Sequence, residues 1–353
     1  MYCEPGADTL PFRLFGRERD IRKRDIGGRQ PDALHAIAVC QAAWDNVRYV
    51  SIAILWRWVA LSAVRQCRWE VEIMTTSYTH APTETVSVAG TSFAYREVGA
   101  DGGGVPVVLL HHFTGVLDDW DPAVIDGLAA ERRVIAFDGR GVGRSEGVTP
   151  DSVEAMAEDA VDFVEASGLG AVDLLGFSLG GMVAQVVAQQ RPDLVRRLVL
   201  AGTTPAGGPG GGRTGAVLQD AVQQASAQGK HPKHFLFFSP TPTSQAAADA
   251  FLARLDQRTD DRDVPASNET IGAQLTALAK WEQSAPALPL ESPAKPTLVV
   301  NGDEDTMLPT INSFALAQQI PGAQLSIYPD AGHGAIFQHH SLFVQQTLDF
   351  LRD

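Results

Sequence analysis

Few cysteines, no long uncharged apolar run and no basic excess: each lack excludes something. Only three of the 353 residues are cysteine (Cys3, Cys40, Cys67), all before residue 68. No disulfide framework can therefore staple the rest of the chain, which suits a reducing compartment and predicts a cytoplasmic protein. Lys and Arg together number 28 against 42 Asp and Glu, a formal net charge of −14. That balance argues against nucleic acid and anionic membrane surfaces as partners. No His/Cys metal-ligand spacing occurs, and the Gly102, Gly103, Gly104 run precedes a strand pattern rather than a helix, so it is no phosphate loop. Neither a metal nor an organic cofactor is expected. What is present, 44% hydrophobic and 20% charged residues, fits a globular chain of one large domain or two smaller ones.

The first 73 residues differ from the remainder. They hold all three cysteines, four of the six Trp, and 11 of the 28 basic but only 9 of the 42 acidic residues. Met74 follows, then a Thr/Ser-rich lead-in to Thr85. The expectation is an N-terminal extension over 1–73, translated upstream sequence outside the natural folded domain, and a domain over 74–353. The alternative is a membrane anchor in the apolar run 49–64. That run is about 16 residues long with Arg57 in its middle, against roughly 20 apolar residues needed to span, and it lies too far in for a signal peptide.

From residue 84 onward strands and helices alternate. Residues 84–98 read as a hairpin about Gly90. Val105 to Leu110 and Arg133 to Phe137 are continuous apolar runs of the kind buried on both faces of a sheet. Helical spacing covers 118–132 and 151–167. Strands are expected at 171–175, 194–201, 297–301 and 323–328, and helices at 181–190 and 341–351. This order predicts an α/β fold: a mostly parallel sheet with helices on both faces, its functional groups on loops at the C-terminal strand edge. One block breaks the pattern. After the Gly/Pro linker 205–212, helical pieces at 214–229, 245–257 and 268–283 flank the aromatic patch 234–238. Inserted between two strands, the block 206–288 reads as a helical cap over the site.

The stretch 172–182 runs from an apolar strand into Gly176-Phe177-Ser178-Leu179-Gly180 and on into a helix. A serine at such a tight strand-to-helix bend exposes its hydroxyl, and the glycines remove side chains where strand and helix pass closely. A serine hydroxyl needs a base, and the base an orienting acid. In this architecture they follow in the order serine, acid, histidine. Past Ser178, two strands end in loops at the same edge, one carrying Asp303, Glu304 and Asp305, the next carrying His333 between two glycines that would leave its ring free to move. His339 and His340 read as surface residues at the start of the last helix.

Together these motifs resemble the α/β-hydrolase superfamily, from about residue 84 to the end. Its Gly-x-x-Asp-x-x-x-Pro acid loop matches Gly302, Asp305 and Pro309; its Ala-Gly-His loop matches His333. Its Asp-x-Arg-Gly-x-Gly-x-Ser turn matches Asp138, Arg140, Gly141, Gly143 and Ser145. The resemblance implies a triad of Ser178, His333 and Asp305, the family spacing selecting Asp305 over its two acidic neighbours. It implies an oxyanion hole from the backbone N–H groups of Leu179 and Phe113. The chain departs from the family at His112, which stands where a glycine is usual. His112 and Trp281 are candidate substrate contacts. The implied activity is hydrolysis of a small-molecule carboxylic ester or lactone through an acyl-enzyme. Cofactor-free haloperoxidase (perhydrolase) and C–C bond hydrolase chemistry use the same triad, and a non-catalytic ligand receptor on this fold is the rival of a different class.

Overall fold

The computed structural model describes residues 77–99, 104–209, 212–285 and 295–352. The expected extension over 1–73 and the apolar run 49–64 lie outside these residues. Among the described residues no helix is long and apolar enough to cross a membrane.

Eight strands form one sheet: β1 (Glu84–Val88), β2 (Thr91–Val98), β3 (Val107–Leu110), β4 (Val134–Phe137), β5 (Val172–Phe177), β6 (Val195–Ala201), β7 (Thr297–Gly302) and β8 (Gln324–Tyr328). Their spatial order is β1-β2-β4-β3-β5-β6-β7-β8. The β1–β2 hairpin and its junction with β4 are antiparallel. Every other pairing is parallel, as the strand–helix alternation requires. The continuous apolar runs belong to strands covered on both faces. Because side chains alternate along a strand, Val107 and Leu109 enter one apolar core and Val108 and Leu110 the other. Leu298 and Val300 part from Val299 in the same way.

One core is closed by α1 (Pro122–Ala129) and the C-terminal α10 (His340–Leu351), the other by α2 (Val153–Ala166) and α3 (Leu179–Gln190). Asp121 starts α1 by accepting from the Ala123 N–H at 2.9 Å, with Pro122 at the first helical position. Pro fits there because that N–H has no helical partner. Ser152 starts α2 by accepting from Ala155.

The block between β6 and β7, expected as a cap, holds α4 (Thr214–Gln228), the single turn α5 (Lys233–Leu236), α6 (Pro242–Leu255) and α7 (Asn268–Gln283). Gly229, in the left-handed region at φ 61°, ends α4. The predicted helix 245–257 begins earlier, because Thr241 caps it by accepting from Ser244 at 3.2 Å. Three short helices escape sequence reading: α5, α8 (Ile311–Gln319) and α9 (Ala335–Gln338). In α8 the apolar periodicity is blurred, since Ile311 and Phe314 face solvent.

Basic cap residues dock on the acidic segment after β3. Arg254 pairs with Asp121 through two bonds of 2.8 and 2.6 Å. Arg262 and Arg258 reach Asp118 at 3.2 and 3.7 Å, and Lys233 pairs with Asp119. Asp121 is buried and Arg254 is its ionic partner, so loss of Arg254 strands a charge, whereas buried Asp118 keeps Arg96 at 2.6 Å.

Candidate active site

Ser178 follows β5 with φ 58° and ψ −117°, a conformation sparsely populated for any side-chain-bearing residue. Its backbone is held on both sides. The N–H donates to Ala201 at 2.9 Å, and the carbonyl accepts from Gly181 N–H at 2.9 Å and Thr203 Oγ1 at 2.8 Å. The two motif glycines are steric necessities. A Cβ on Gly180 would lie 2.7 Å from the His111 oxygen, and one on Gly176 2.6 Å from the Gly181 Cα.

The loops after β7 and β8 bring the other two groups in. His333 Nε2 lies 2.9 Å from Ser178 Oγ, and its Nδ1 lies 2.8 Å from Asp305 Oδ2. All three side chains are buried. The second carboxylate oxygen of Asp305 accepts from the Met307 and Leu308 N–H groups, each at 2.9 Å. An acceptor-only carboxylate behind Nδ1 selects the tautomer in which Nδ1 carries hydrogen and Nε2 accepts from the serine hydroxyl. Asp303 serves differently: its Oδ1 accepts from Ala331 N–H at 3.1 Å, joining the two loops. Glu304 is exposed, its N–H donating to Ala331 at 2.9 Å.

The glycines beside His333 do not free its ring, contrary to the sequence expectation. The imidazole packs against both Phe177 and Phe237, with ring centroids 5.0 and 5.8 Å away. The glycines instead allow the loop to pass close to the cap. A Cβ at 332 would meet the Phe237 oxygen at 2.8 Å, and one at 334 the Phe237 Cβ at 2.7 Å. Gly334 N–H donates to the Phe237 carbonyl at 2.8 Å.

The two candidate oxyanion donors are the N–H of Leu179, directly after the serine, and that of Phe113, in the loop after β3. Among the described residues neither the Leu179 nor the Phe113 N–H donates a hydrogen bond. Leu179 is the first residue of α3, where the helix dipole adds positive potential. The loop carrying Phe113 is fixed by a left-handed Thr114, φ 60°, whose N–H donates to Gln274 Oε1 at 2.7 Å. Gln274 sits mid-way along α7, so the cap itself sets this loop. Nothing in the local sequence around 274 announces that role.

His112 Nδ1 lies 2.7 Å from the Phe113 carbonyl, and the ring stands edge-on to Phe177 and Phe237 at 5.5 and 5.3 Å. Burial, then the nearby Lys233 charge, pushes its pKa down to about 4. Burial also lowers the neighbouring His111 to about 3. Both imidazoles are therefore neutral at pH 7. Trp281 is placed away from such a role: its indole N–H donates to the Thr204 carbonyl at 3.2 Å, and its ring packs in the core with Leu278. Arg140 ties its turn to the body, with two bonds to Asp159 Oδ1 (2.8 and 2.6 Å) and one to Thr91 (2.9 Å).

Among the described residues the arrangement supplies a buried hydroxyl in line with an imidazole and a carboxylate, beside two undirected N–H donors. Such a set can form and break acyl bonds. The family profile described as alpha/beta hydrolase fold matches residues 105–340. A solved alpha/beta hydrolase fold protein from Chitinophaga pinensis is 42% identical, with a TM-score of 0.72, covering 79% of this chain and all of that one. A thermophilic esterase from Thermogutta terrifontis is 26% identical with a TM-score of 0.59, covering 77% and 98%. The 2-hydroxymuconate semialdehyde hydrolase of Pseudomonas sp. (strain CF600) is 30% identical over 264 residues, 71% of this chain and 88% of the relative.

Proposed function

The chain belongs to the alpha/beta hydrolase fold family, and on that premise we infer that it is a serine hydrolase cleaving a small-molecule carboxylic ester or lactone. The observation that carries the reading is the unbroken relay from Ser178 Oγ through His333 to Asp305, with spacings of 2.9 and 2.8 Å.

In this reading Ser178 Oγ attacks the carbonyl carbon while His333 Nε2 takes the hydroxyl proton. Asp305 stabilises the imidazolium so formed. The carbonyl oxygen gathers negative charge against the N–H groups of Leu179 and Phe113, a contribution that is usually the largest single one in such sites. The C–O bond breaks as His333 passes its proton to the leaving oxygen, leaving an acyl-serine. Water, deprotonated by His333, attacks that ester; the proton returns to Ser178 and the acid departs. Every proton lost by a nucleophile returns to a leaving group, so no external reagent beyond water is required.

The test is nitrophenyl-ester and lactone turnover by the protein and by Ser178→Ala. The variant is expected to lose at least about 10⁴-fold in kcat. Equal rates for the two proteins would sink the assignment. A second reading, hydrolysis of a C–C bond beside a carbonyl, is favoured by the 30% identity to the 2-hydroxymuconate semialdehyde hydrolase. Turnover of a vinylogous 1,5-diketone with no ester activity would support it.

A further inference from the structure

Among the described residues, Thr114, at φ 60°, is the one β-branched residue with a positive φ. Left-handed backbone is least tolerated by such a side chain, so it persists only where the surroundings hold it. Three hydrogen bonds do so. Gly115 N–H donates to the His112 carbonyl at 2.9 Å and closes a turn around Phe113 and Thr114. Within that turn the peptide joining Phe113 to Thr114 is gripped at both ends. Its carbonyl, which can only accept, lies 2.7 Å from His112 Nδ1. Its N–H donates to Gln274 Oε1 at 2.7 Å. The first two partners belong to the turn itself, whereas Gln274 comes from 160 positions along the chain.

Gln274 stands on a fixed support. Thr270, Gln274, Ala277, Leu278 and Trp281 are all buried, a spacing that places them on one side of α7. Thr270 Oγ1 donates to the Gly141 carbonyl at 2.8 Å near one end of the helix. Near the other, the Trp281 indole N–H donates to the Thr204 carbonyl at 3.2 Å. The adjacent Thr203 holds the Ser178 carbonyl through its hydroxyl at 2.8 Å. One helix is thus anchored next to the serine bend and, between its two anchor points, grips the loop after β3.

We propose that Gln274 is a positioning residue for the reaction: by holding Thr114 left-handed, it keeps the neighbouring Phe113 N–H directed at the place where the oxyanion forms. The inference rests on the hydrolase reading, in which Phe113 is one of the two donors. An oxyanion donor acts on charge that develops in the tetrahedral species, so its misplacement slows turnover and leaves substrate binding in place.

Hydrolysis of nitrophenyl butanoate by Gln274→Asn tests this, because a side chain one methylene shorter leaves the contact beyond hydrogen-bonding range. Loss of one oxyanion donor costs about 10²–10³ in turnover, and its misplacement should cost at least about 10-fold in kcat, with KM within about threefold of wild type. Gln274→Met, equally long but without the amide acceptor, should behave alike, so the outcome does not hang on one variant folding. Adding Thr114→Gly to either variant should restore most of the rate, since glycine adopts the left-handed backbone freely. A helix that merely packs badly gains nothing from that change. Phenylboronate, whose serine adduct is tetrahedral and anionic, should bind Gln274→Asn at least about 10-fold more weakly by calorimetry. A kcat within about threefold of wild type, a loss carried by KM instead, or no recovery with Thr114→Gly overturns the role and leaves a Ser178-dependent hydrolase intact. Equal boronate binding by wild type and variant overturns it as well. Weakened boronate binding in a protein that hydrolyses neither esters nor lactones sinks the hydrolase reading and leaves the positioning of the loop standing. A protein that neither hydrolyses esters nor binds boronate overturns both.

Discussion

Gly302→Ala tests whether the relay depends on two loops lying in backbone contact. Gly302 ends β7, three residues before Asp305, and the methyl group would lie 2.5 Å from the carbonyl carbon of Ala331, two residues before His333. Carbon atoms rest at about 3.5–4.0 Å, so the loops must part by roughly 1 Å. That displacement falls on the 2.8 Å bond between Asp305 and His333, stretching it beyond hydrogen-bonding range. Misplacement of this size costs about 10²-fold in turnover. Overpacking of this kind costs about 1–3 kcal/mol in stability, a fall in Tm on the order of 3–10 °C for a chain of this length. Ester turnover and calorimetric unfolding of purified protein measure the two effects together. A variant with kcat within threefold of wild type and an unchanged Tm would refute the claim that this contact sets the acid–base geometry.

Two further outcomes follow from other positions. Gly272 is exposed within α7, its φ is not positive, and a methyl group added there would meet nothing within 4 Å. Gly272→Ala should therefore stabilise by about 0.5–1 kcal/mol, read from urea unfolding; a destabilised variant contradicts the helix assignment. The second concerns Asp138 and the cap residue Asp263, which share the Leu117 N–H at 3.1 Å each. Burial first, then the Asp263 carboxyl, holds the Asp138 pKa well above the ordinary carboxylate range. A folded pKa above the unfolded one gives stability that is complete below the unfolded value and lost as pH rises through the folded value. Asp263→Asn should flatten that loss, which for one proton is at most about 1.4 kcal/mol per pH unit. Parallel stability–pH curves for the two proteins would exclude the coupling.

The candidate triad is legible in the sequence because each member lies beside a local signature: a bend that only glycines permit at 176 and 180, a carboxylate three residues after Gly302, an imidazole between glycines. The sheet is legible because burial on both faces leaves continuous apolar runs. What escapes is whatever depends on distant partners. Gln274 reaching the Thr114 N–H, Arg254 reaching Asp121 and the packing of Phe237 on His333 are contacts across 96 to 160 positions, and they leave no periodicity. Trp281 suits a pocket or a core equally well as an aromatic in a cap helix; only the Thr204 carbonyl decides. The glycines at 332 and 334 mislead for the same reason, since the group they accommodate is Phe237.

The Gly334–Phe237 hydrogen bond bears on how such a chain can diversify. The block between β6 and β7 is not an accessory that drift can reshape at will, because one of its backbone oxygens holds the loop of His333 in register. Side chains on helices α4 and α6 can change while the main chain at 237 stays where it is. A chimera that imports a foreign block there needs a carbonyl at that point in space, or the loop of His333 loses its anchor.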